Sequence, residues 1–484
     1  MSLDPKRPIK LGPSAVLAAV ATGVLLCAPA GALAAAPSTV IDLTSSSVNA
    51  SKSSVGVASN GTRTVTWVQN LGPIAEPTGY AIRGLRVSTK IVRVTTGTGK
   101  KRRTVNKAIE VKTPLAIVSE SGKTVRDAVS STASNGTTTV AWSSLDENGT
   151  SVTVRAIRIT PTGRVGAPIE LAAAGSRIRY LQIRSSANGV TTVVWRRDDS
   201  LKSWIEARRI DAAGLPGQTL DLTPDHGAHF DPRVAVRPNG SADVVWRREG
   251  VSRAVMQVRQ IGPTGELGEI IDISNPDRPA AEEPVITMAP NGRSNIVWTE
   301  WTGSAYAMRL VRLDSTGARG RYVEVASQPT SPSPSVGVDS AGTATVCWTY
   351  RNRAGQFKLR LKRFSATYRA GALVDFGPAG KDSLVEGFGP TMTVAPSGMT
   401  TVVWSAVQGT AFPPQVYLQG VRIDVKGGRG ATSTIVSPGR AGSVPDLLHY
   451  PTASVGGDGT AAIAFTRQKA VTGSPALLKL IAWK

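Results

Sequence analysis

The chain has 484 residues, with 56 lysines and arginines against 34 acidic residues, and a formal charge of +22 at pH 7. Of its two cysteines, Cys27 lies in an N-terminal segment that we expect to be removed, so Cys347 alone remains and an intramolecular disulfide in the mature chain is excluded. The remaining length, roughly 450 residues, is ample for one closed hydrophobic core held by packing.

Residues 1–34 have the pattern of a secretory signal peptide. Basic residues at 6, 7 and 10 precede an apolar run over 15–26, and Ala-Leu-Ala at 32–34 supplies the small residues that a signal peptidase needs. The run is too short to favour a membrane span, although an uncleaved anchor stays an alternative. Leu26 stands where a small residue should precede a lipidated Cys27, so we do not expect a lipoprotein. We expect a secreted, extracellular protein without a transmembrane span after cleavage, with cell-wall association left open.

A turn glycine precedes an aromatic residue by six positions in eight places along the chain. Five of the glycines follow asparagine, and the residues between are rich in Thr, Val, Ala and Ile, which predicts a two-residue β-turn leading into a strand. From the second aromatic to the sixth the spacings are 53, 51, 52 and 50 residues, a period typical of a β-propeller. The pairs are Gly61 and Trp67, Gly136 and Trp142, Gly189 and Trp195, Gly240 and Trp246, Gly292 and Trp298, Gly342 and Trp348, Gly398 and Trp404, and Gly459 and Phe465.

Each repeat predicts four antiparallel strands, A to D, which form one blade. Strand A alternates before the glycine, strand B carries the aromatic, and strand C carries arginines, as in the run that ends at Ile210. A short strand D follows a polar turn, as at 220–223. In the first unit an insertion at about 89–112 predicts a basic hairpin between strands C and D. Its candidate anion-binding tip, for which an ordinary solvated loop is an equal alternative, is Lys100, Lys101, Arg102 and Arg103.

The two ends of the chain complement each other. The eighth unit stops after strand C, at 477–483, and Val40 to Thr44 matches the strand D pattern. Pairing these segments would close the ring and remove an exposed sheet edge. The sequence therefore predicts an all-β fold over 35–484: an eight-bladed β-propeller of four-stranded antiparallel blades, with Val40 to Thr44 completing the last blade. A linear array of small sandwiches is the alternative.

The charge of the mature chain, about +20, points to an anionic partner. For an exported protein the available polyanions are envelope polymers, acidic polysaccharides, membrane surfaces and extracellular DNA, of which nucleic acid is the least expected. We expect the strand C arginines to be solvated near the outer edge of each blade, where they discourage edge pairing. These arginines include Arg155, Arg158, Arg208, Arg209, Arg259, Arg309 and Arg312.

Propeller geometry places the B-to-C loops and the D-to-A loops on one face, which in this fold generally holds the ligand. Acidic, basic and aromatic residues gather in these loops, a composition suited to sugars or mixed-charge ligands, although the mouth of a propeller is polar in any case. The candidate ligand-binding residues are Arg196, Arg197, Asp198, Asp199, Arg247, Arg248, Glu249, Glu300, Trp301, Asp127, Asp231 and Glu283, with Tyr180 and Tyr450 at the same starts of strand A.

Metal and cofactor sites have weak support in the sequence. His226 and His229 stand three apart with Asp225 and Asp231 in one D-to-A loop, a spacing that in a loop is poor evidence for a divalent metal. No HExxH, EF-hand, phosphate loop or nucleophile elbow is present. We therefore expect neither a metal nor a cofactor.

An enzymatic function is the alternative to a binding function. A sialidase-like glycan hydrolase or lyase would use carboxylates at the channel mouth, such as Asp127, Asp231 and Glu283. The repeat does not match the sialidase Asp box, because that motif places its aromatic three residues after the glycine and here the separation is six. The Trp-Asp pair of WD40 units and the double glycine of kelch units are also missing from the repeats.

Over residues 39–484 the chain resembles bacterial exported β-propeller repeat proteins of uncharacterised role. That resemblance implies the fold and the localisation, and it brings no catalytic residues with it. We expect a monomeric, non-catalytic binding or scaffolding module at the cell envelope, whose partner is an anionic polymer, a saccharide or a protein.

Overall fold

The computed structural model describes residues 37–38, 40–44, 50–71, 79–96, 102–121, 123–145, 152–173, 175, 177–199, 201–250, 254–275, 284–385, 389–408, 415–437, 446–469, 474 and 476–483. Within these ranges the secondary structure is entirely strands and turns, so the all-β prediction is confirmed. No membrane-spanning helix occurs in this part of the chain. The expected signal peptide at 1–34, Lys100, Lys101 and Glu283 lie outside the described residues.

Strand β1 covers Ile41–Asp42 and precedes the first repeat. Units 1 to 4 each contribute four strands in the order A, B, C, D. They are β2 (Ala50–Val57), β3 (Arg63–Leu71), β4 (Gly79–Thr96) and β5 (Arg103–Ser121) in unit 1, β6 (Thr124–Thr132), β7 (Thr138–Leu145), β8 (Val152–Ile159) and β9 (Ile169–Ala172) in unit 2, β10 (Arg177–Ser185), β11 (Thr191–Asp198), β12 (Ser203–Ile210) and β13 (Pro216–Asp221) in unit 3, and β14 (Ala228–Val236), β15 (Ala242–Glu249), β16 (Ala254–Ile261) and β17 (Leu267–Asp272) in unit 4.

Units 5 to 8 follow the same order, with strand A of unit 7 split in two. Their strands are β18 (Val285–Met288), β19 (Ser294–Trp301), β20 (Tyr306–Leu313) and β21 (Val323–Gln328) in unit 5, β22 (Ser335–Val338), β23 (Ala344–Arg351), β24 (Phe357–Phe364) and β25 (Val374–Phe376) in unit 6, β26 (Ser383–Leu384) and β27 (Thr391–Val394), then β28 (Thr400–Val407), β29 (Val416–Ile423) and β30 (Ser433–Val436) in unit 7, and β31 (Asp446–Val455), β32 (Ala461–Lys469) and β33 (Leu477–Trp483) in unit 8.

Neighbouring strands of a unit pair antiparallel in chain order, as the repeat predicts. Units 3 and 4 share one sheet through a single parallel pair, Ser203 with Ala228, which joins the start of strand C to the next strand A. In unit 8 the fourth strand is β1, which pairs antiparallel with β33 through Ile41 and Leu480. Four-stranded antiparallel units are therefore the building block of this fold.

The turn between strands A and B is one residue longer than the predicted two-residue turn. In unit 3 the amide of Gly189 donates to the carbonyl of Ser186 at 3.1 Å, and the Ser186 amide donates to the carbonyl of Val190 at 2.8 Å. Gly189 has a φ of 93°, a left-handed conformation that follows the turn and that favours glycine. This is a three-residue hairpin loop, in which a turn followed by a left-handed glycine matches the twist of the strands.

The aromatic of strand B fills the space between successive units. Trp195 is fully buried against Val154 and Leu171 of unit 2, and Trp298 is fully buried against Met256 of unit 4. The same packing recurs with Trp142, Trp246, Trp348, Trp404 and Phe465. Cys347 is buried in the same way against unit 7, and burial raises the pKa of its thiol. Each sheet therefore packs face to face on the next through a large side chain.

Arginines near the end of strand C join each unit to the next. Arg209 of unit 3 donates to the carbonyls of Gly240 (2.8 Å) and Gly262 (2.7 Å), which lie in the A-to-B and C-to-D turns of unit 4. Arg312 of unit 5 donates to three carbonyls of unit 6. We call this set the inter-unit arginines: Arg86, Arg158, Arg209, Arg312, Arg363 and Arg422, with Arg237, directly after strand A, acting in unit 4.

The expectation that strand C arginines are solvated is wrong for much of the set. Arg209 and Arg312 are buried, and Arg208 and Arg259 reach back to strand D carbonyls of the preceding unit, at Leu171 and Leu222. These carbonyls lie at unit boundaries, where no strand supplies an N–H donor, and the guanidinium groups replace that donor. Much of the positive charge is therefore used to hold the units together.

Candidate ligand-binding site

Strand A begins with a bulge at a fixed place in the repeat. Its register against strand B shifts at or beside Lys52, Asp127, Tyr180 and Asp231 in units 1 to 4. Lys52, Tyr180 and Asp231 have φ values of 48°, 55° and 55°, a conformation that costs a non-glycine residue roughly 1–3 kcal/mol and that clusters at functional sites. The position lies nine residues before each turn glycine: Lys52, Asp127, Tyr180, Asp231, Glu283, Ser333, Gly389 and Tyr450.

The loops around these bulges lie at one end of the strands. The amide of Ser203, at the start of strand C, donates to the carbonyl of Gly227 in the D-to-A loop at 2.8 Å. The turns that the inter-unit arginines bind are at the other end, since Arg158 contacts both Gly189 of an A-to-B turn and Ala212 of a C-to-D turn. The bulged residues and the loops after strand B therefore share one face.

An aromatic ring lies between two arginines where units 3 and 4 meet on this face. The guanidinium carbon of Arg196 lies 4.1 Å from the centre of the Phe230 ring, and that of Arg247 lies 5.5 Å from it. Arg196 is also 5.7 Å from the centre of the Tyr180 ring. These are cation–π distances. With their carboxylate partners these residues form what we call the Phe230 cluster: Arg179, Tyr180, Arg196, Asp198, Phe230, Asp231, Arg247 and Glu249.

The Phe230 cluster contains three arginines and three carboxylates, so its formal charges cancel, but the pairing leaves two guanidinium nitrogens without a hydrogen bond. Arg196 Nε lies 2.5 Å from Asp198 Oδ1, and Arg247 Nη1 lies 3.0 Å from Glu249 Oε1. Arg247 Nε is 3.7 Å from Asp231, and Arg179 Nε is 3.7 Å from Asp198, both beyond hydrogen-bond distance. These two Nε atoms are shielded from solvent and have no hydrogen-bond acceptor. The cluster thus holds donors that are not satisfied by the protein.

Two other arginine candidates, which lie in strands β11 and β15 and not in the expected loops, are engaged in structural contacts. Arg197 Nε donates to Glu206 at 3.0 Å, and Glu206 also accepts from the indoles of Trp195 (2.8 Å) and Trp204 (3.0 Å). Arg248 lies 3.0 Å from Asp225 in the D-to-A loop. Both arginines fix the loops beside the Phe230 cluster.

Asp199 is exposed and lies on the same face, in the loop after strand B of unit 3. Its carboxylate accepts from the amides of Leu201 and Lys202, which lowers its pKa. The hydrogen bonds stabilise the ionised form and shape the loop after strand B.

Glu300 is not accessible to a ligand in this structure. Its side chain is buried, and it accepts from Trp298 Nε1 at 3.3 Å and from Arg309 Nε at 3.0 Å. It holds the indole in place, as Glu206 does in unit 3. Trp301 is 37% exposed and lies 4.8 Å from the ring of Tyr306, so it remains a surface aromatic on this rim.

Asp127 is the remaining carboxylate candidate among the described residues, and it lies in strand β6 of unit 2. Burial lowers the pKa of the Lys52 ammonium group. The charge of nearby Asp127 opposes this shift only in part. Among the described residues no three His, Cys, Asp or Glu side chains converge as a metal site.

The two described histidines of the D-to-A loop bind different aspartates. His229 Nε2 lies 2.9 Å from Asp225, and His226 Nε2 lies 2.7 Å from Asp221. The His226 ring stacks on Trp204 at 4.6 Å, while His229 is buried beside Trp246. Burial lowers the pKa of His229, and the neighbouring Asp225 opposes that shift only in part.

The sequence did not single out Phe230, Arg179 or Lys52. Phe230 and Arg179 each directly precede the bulged residue of their unit, so the repeat alignment places them in one column. The sequence pattern does not show that this aligned position faces the next unit. The bulge in strand A interrupts the alternation of inward and outward side chains there.

No protein-family model matches the chain, and no curated protein sequence matches it. Similar solved structures include a protein of unknown function from Dyadobacter fermentans (8% identity, TM-score 0.40, covering 92% of this chain and 99% of that one). The β-propeller domain of the trilobed protease from Pyrococcus furiosus is another (8%, TM-score 0.42, 82% and 98%), as is a polysaccharide lyase (10%, TM-score 0.44, 72% and 88%). All three TM-scores are below 0.5, so the function has to be argued from the contacts of this chain.

Proposed function

We propose that the eight units form a closed eight-bladed propeller. The A strands contact one another in succession from β2 through β6, β10, β14, β18, β22, β27 and β31, and β31 contacts β2 again. Trp67 of unit 1 packs against Leu478 and Leu480 of unit 8, which is the same packing that joins the other units. The pairing of β1 with β33 supports the same arrangement.

We further propose that this propeller is a secreted, non-catalytic binding module for an acidic polysaccharide of the cell envelope. The export pattern at 1–34 supports the location. The Phe230 cluster supports the ligand class, and it is the observation that carries the proposal. The exposed ring of Tyr180 provides a surface for a sugar ring, and the partly exposed guanidinium groups of Arg179 and Arg247 suit carboxylate or phosphate oxygens.

The carboxylates of the rim argue for binding over hydrolysis. A glycoside hydrolase needs two carboxyl groups that face each other across the scissile bond, about 5–10 Å apart. Here Asp198, Asp231 and Glu249 each lie beside an arginine, and Glu300 is buried in a structural pair. Each of these carboxylates therefore already has an arginine partner within the protein.

The proposal is tested by retention of the 35–484 chain on immobilised polygalacturonate, with neutral dextran as the control polymer. We expect retention on polygalacturonate only, falling as salt rises from about 0.05 to 0.5 M because the contact is electrostatic. Phe230→Leu and the double variant Arg196→Gln, Arg247→Gln should each weaken retention about tenfold or more, a change of about 1.4 kcal/mol.

Arg353→Gln is the matched control, since Arg353 is exposed and lies in the B-to-C loop of unit 6. It removes one positive charge from the same face and should leave retention nearly unchanged. Retention that the three cluster substitutions do not alter would contradict the site. Release of reducing ends or unsaturated oligosaccharides during incubation would favour the hydrolase or lyase alternative.

A further inference from the structure

The first unit carries a β-ribbon that extends beyond its sheet. Strands β4 and β5 have 18 and 19 residues, whereas strand C has eight in units 2 to 7. Strand β3 pairs with β4 only as far as Val87, and β4 and β5 then continue as a pair out to Thr96 and Arg103. We call residues 89–96 and 103–110 the ribbon. A two-stranded ribbon buries little surface and is marginally stable on its own in water.

The two faces of the ribbon differ in composition. Residues that pair directly across an antiparallel ladder share a face. The pairs Lys90 with Ile109, Val92 with Lys107, Val94 with Val105 and Thr96 with Arg103 therefore form one face, which is mostly aliphatic and basic. The opposite face carries Ile91, Arg93, Thr95, Thr104, Asn106 and Ala108.

Aliphatic side chains of the ribbon are unusually open to solvent. Val105 and Ile109 are each 38% exposed, and Ile91 is 61% exposed. They are three of the ten large apolar side chains that are exposed in the described part of the chain. Val105 and Ile109 lie on the first face and Ile91 on the opposite one, and exposed aliphatic groups on a small projecting element indicate an interaction surface.

The free charge of the ribbon is positive. Its one acidic residue, Glu110, is bound by Arg63 of strand β3, which fixes the base of the ribbon to the sheet. Its basic residues Lys90, Arg93, Arg103 and Lys107 are exposed, as is Arg102 directly before its second strand. A partner for this surface must be anionic and must also accept aliphatic side chains.

We propose that the ribbon is a peripheral contact for a bilayer that contains anionic lipids. Val92, Val94, Val105 and Ile109 enter the headgroup region, and Lys90, Arg103 and Lys107 bind lipid phosphates. A soluble polyanion offers no apolar region, whereas the bilayer interface accepts both aliphatic and basic side chains. The proposal is separate from the Phe230 cluster, and it would keep an exported protein at a membrane surface.

Co-sedimentation of the 35–484 chain with vesicles tests this proposal. We expect binding to vesicles of phosphatidylglycerol and phosphatidylcholine, and much weaker binding to phosphatidylcholine alone. The double variant Val94→Ser, Ile109→Ser keeps every charge, and Lys90→Gln, Lys107→Gln keeps every aliphatic group. Each should weaken binding to the anionic vesicles about tenfold or more. The control Thr95→Ser, Thr104→Ser alters the opposite face and should leave binding unchanged.

A label reports insertion directly. Cys347 is buried, so a Val94→Cys variant can be labelled selectively with an environment-sensitive dye. We expect a blue shift of the dye on anionic vesicles and none on soluble polyphosphate. A dye that stays in a water-like environment on vesicles, or vesicle binding that is insensitive to Val94→Ser, Ile109→Ser, would overturn the proposal in favour of a simple polyanion contact. The Arg196→Gln, Arg247→Gln variant should bind vesicles normally, which separates this outcome from that of the polysaccharide site.

Discussion

At the scale of single residues, arginine joins neighbouring units because one guanidinium group can donate to several carbonyls at once. Arg312 contacts the carbonyls of Phe364, Ser365 and Ala366 and also Asn295. In unit 4 the equivalent position is Gln260, whose shorter side-chain amide lies against the guanidinium group of Arg237. Arg237 supplies the guanidinium there and is held by Asp243 at 2.9 and 2.8 Å. The contact is therefore kept although the arginine comes from the A-to-B turn.

We expect Arg312→Ala to lower the free energy of unfolding by roughly 2–3 kcal/mol, because buried carbonyls of unit 6 lose their donors. Arg353→Ala removes an exposed arginine and should change stability by less than about 0.5 kcal/mol. Denaturant unfolding followed by tryptophan fluorescence measures both. Equal stability of the two variants would show that the inter-unit arginines contribute little.

His229 should make stability depend on pH. Its pKa is lowered by burial, so between that value and about 6.5 the unfolded chain binds a proton that the folded chain does not. Stability should therefore fall as pH drops below about 6.5, with a slope of at most about 1.4 kcal/mol per pH unit from this residue. His229→Gln should reduce the slope, and His226→Asn, at a half-exposed histidine of the same loop, should retain it. Thermal unfolding across pH 5–8 measures this slope. If the dependence of stability on pH is unchanged in His229→Gln, this residue is not its cause.

At the scale of elements, the main feature is the completion of the last sheet by the N-terminal strand. Besides the paired residues of β1, the amide of Leu43 donates to the carbonyl of Leu478 at 3.0 Å, and the amide of Ser38 donates to that of Ala482 at 2.7 Å. The side chain of Thr44 accepts from the Leu478 amide at 3.0 Å. Without these residues, β33 would be an exposed sheet edge.

A chain that begins at residue 45 should be less stable than one that begins at residue 37, by roughly 3 kcal/mol from the lost backbone hydrogen bonds. It should also associate as its concentration rises, since β33 becomes a free edge. Thermal unfolding and light scattering of the two chains test both effects. Two chains with the same stability and the same mass would contradict the structural role of β1.

At the scale of the whole molecule, positive charge has two separate uses. The inter-unit arginines occupy the end of the strands with the A-to-B turns, where they donate to protein carbonyls, although Arg209 and Arg422 also keep buried nitrogens without an acceptor. On the opposite face, Arg179 and Arg247 keep Nε donors without an acceptor. A formal charge of +22 therefore overstates the charge that is available to a partner, and a specific site matters more than the net value.

Much of the fold follows from local patterns. The turn glycines, the alternation of strands A and B and the spacing near 50 residues determine the four-stranded units, because turn conformation and strand alternation depend on residues close in sequence. The match of Val40 to Thr44 with strand D anticipates the pairing of β1 with β33. Arg196, Arg247 and Asp231 are also candidates from the sequence, although the structure places them within strands β11, β15 and β14 and not in the expected loops.

Only the tertiary structure decided which side chains are buried. Arg208 and Arg209 are adjacent in the sequence, yet one binds carbonyls of the unit before and the other binds carbonyls of the unit after. Glu300 stands at the end of strand B like a rim residue, but it is buried beneath Arg309. Phe230 joins two arginines because a bulge redirects strand A. In each case the residue that contacts the side chain lies on another strand or in another unit. The sequence pattern of a single strand contains no information about that contact.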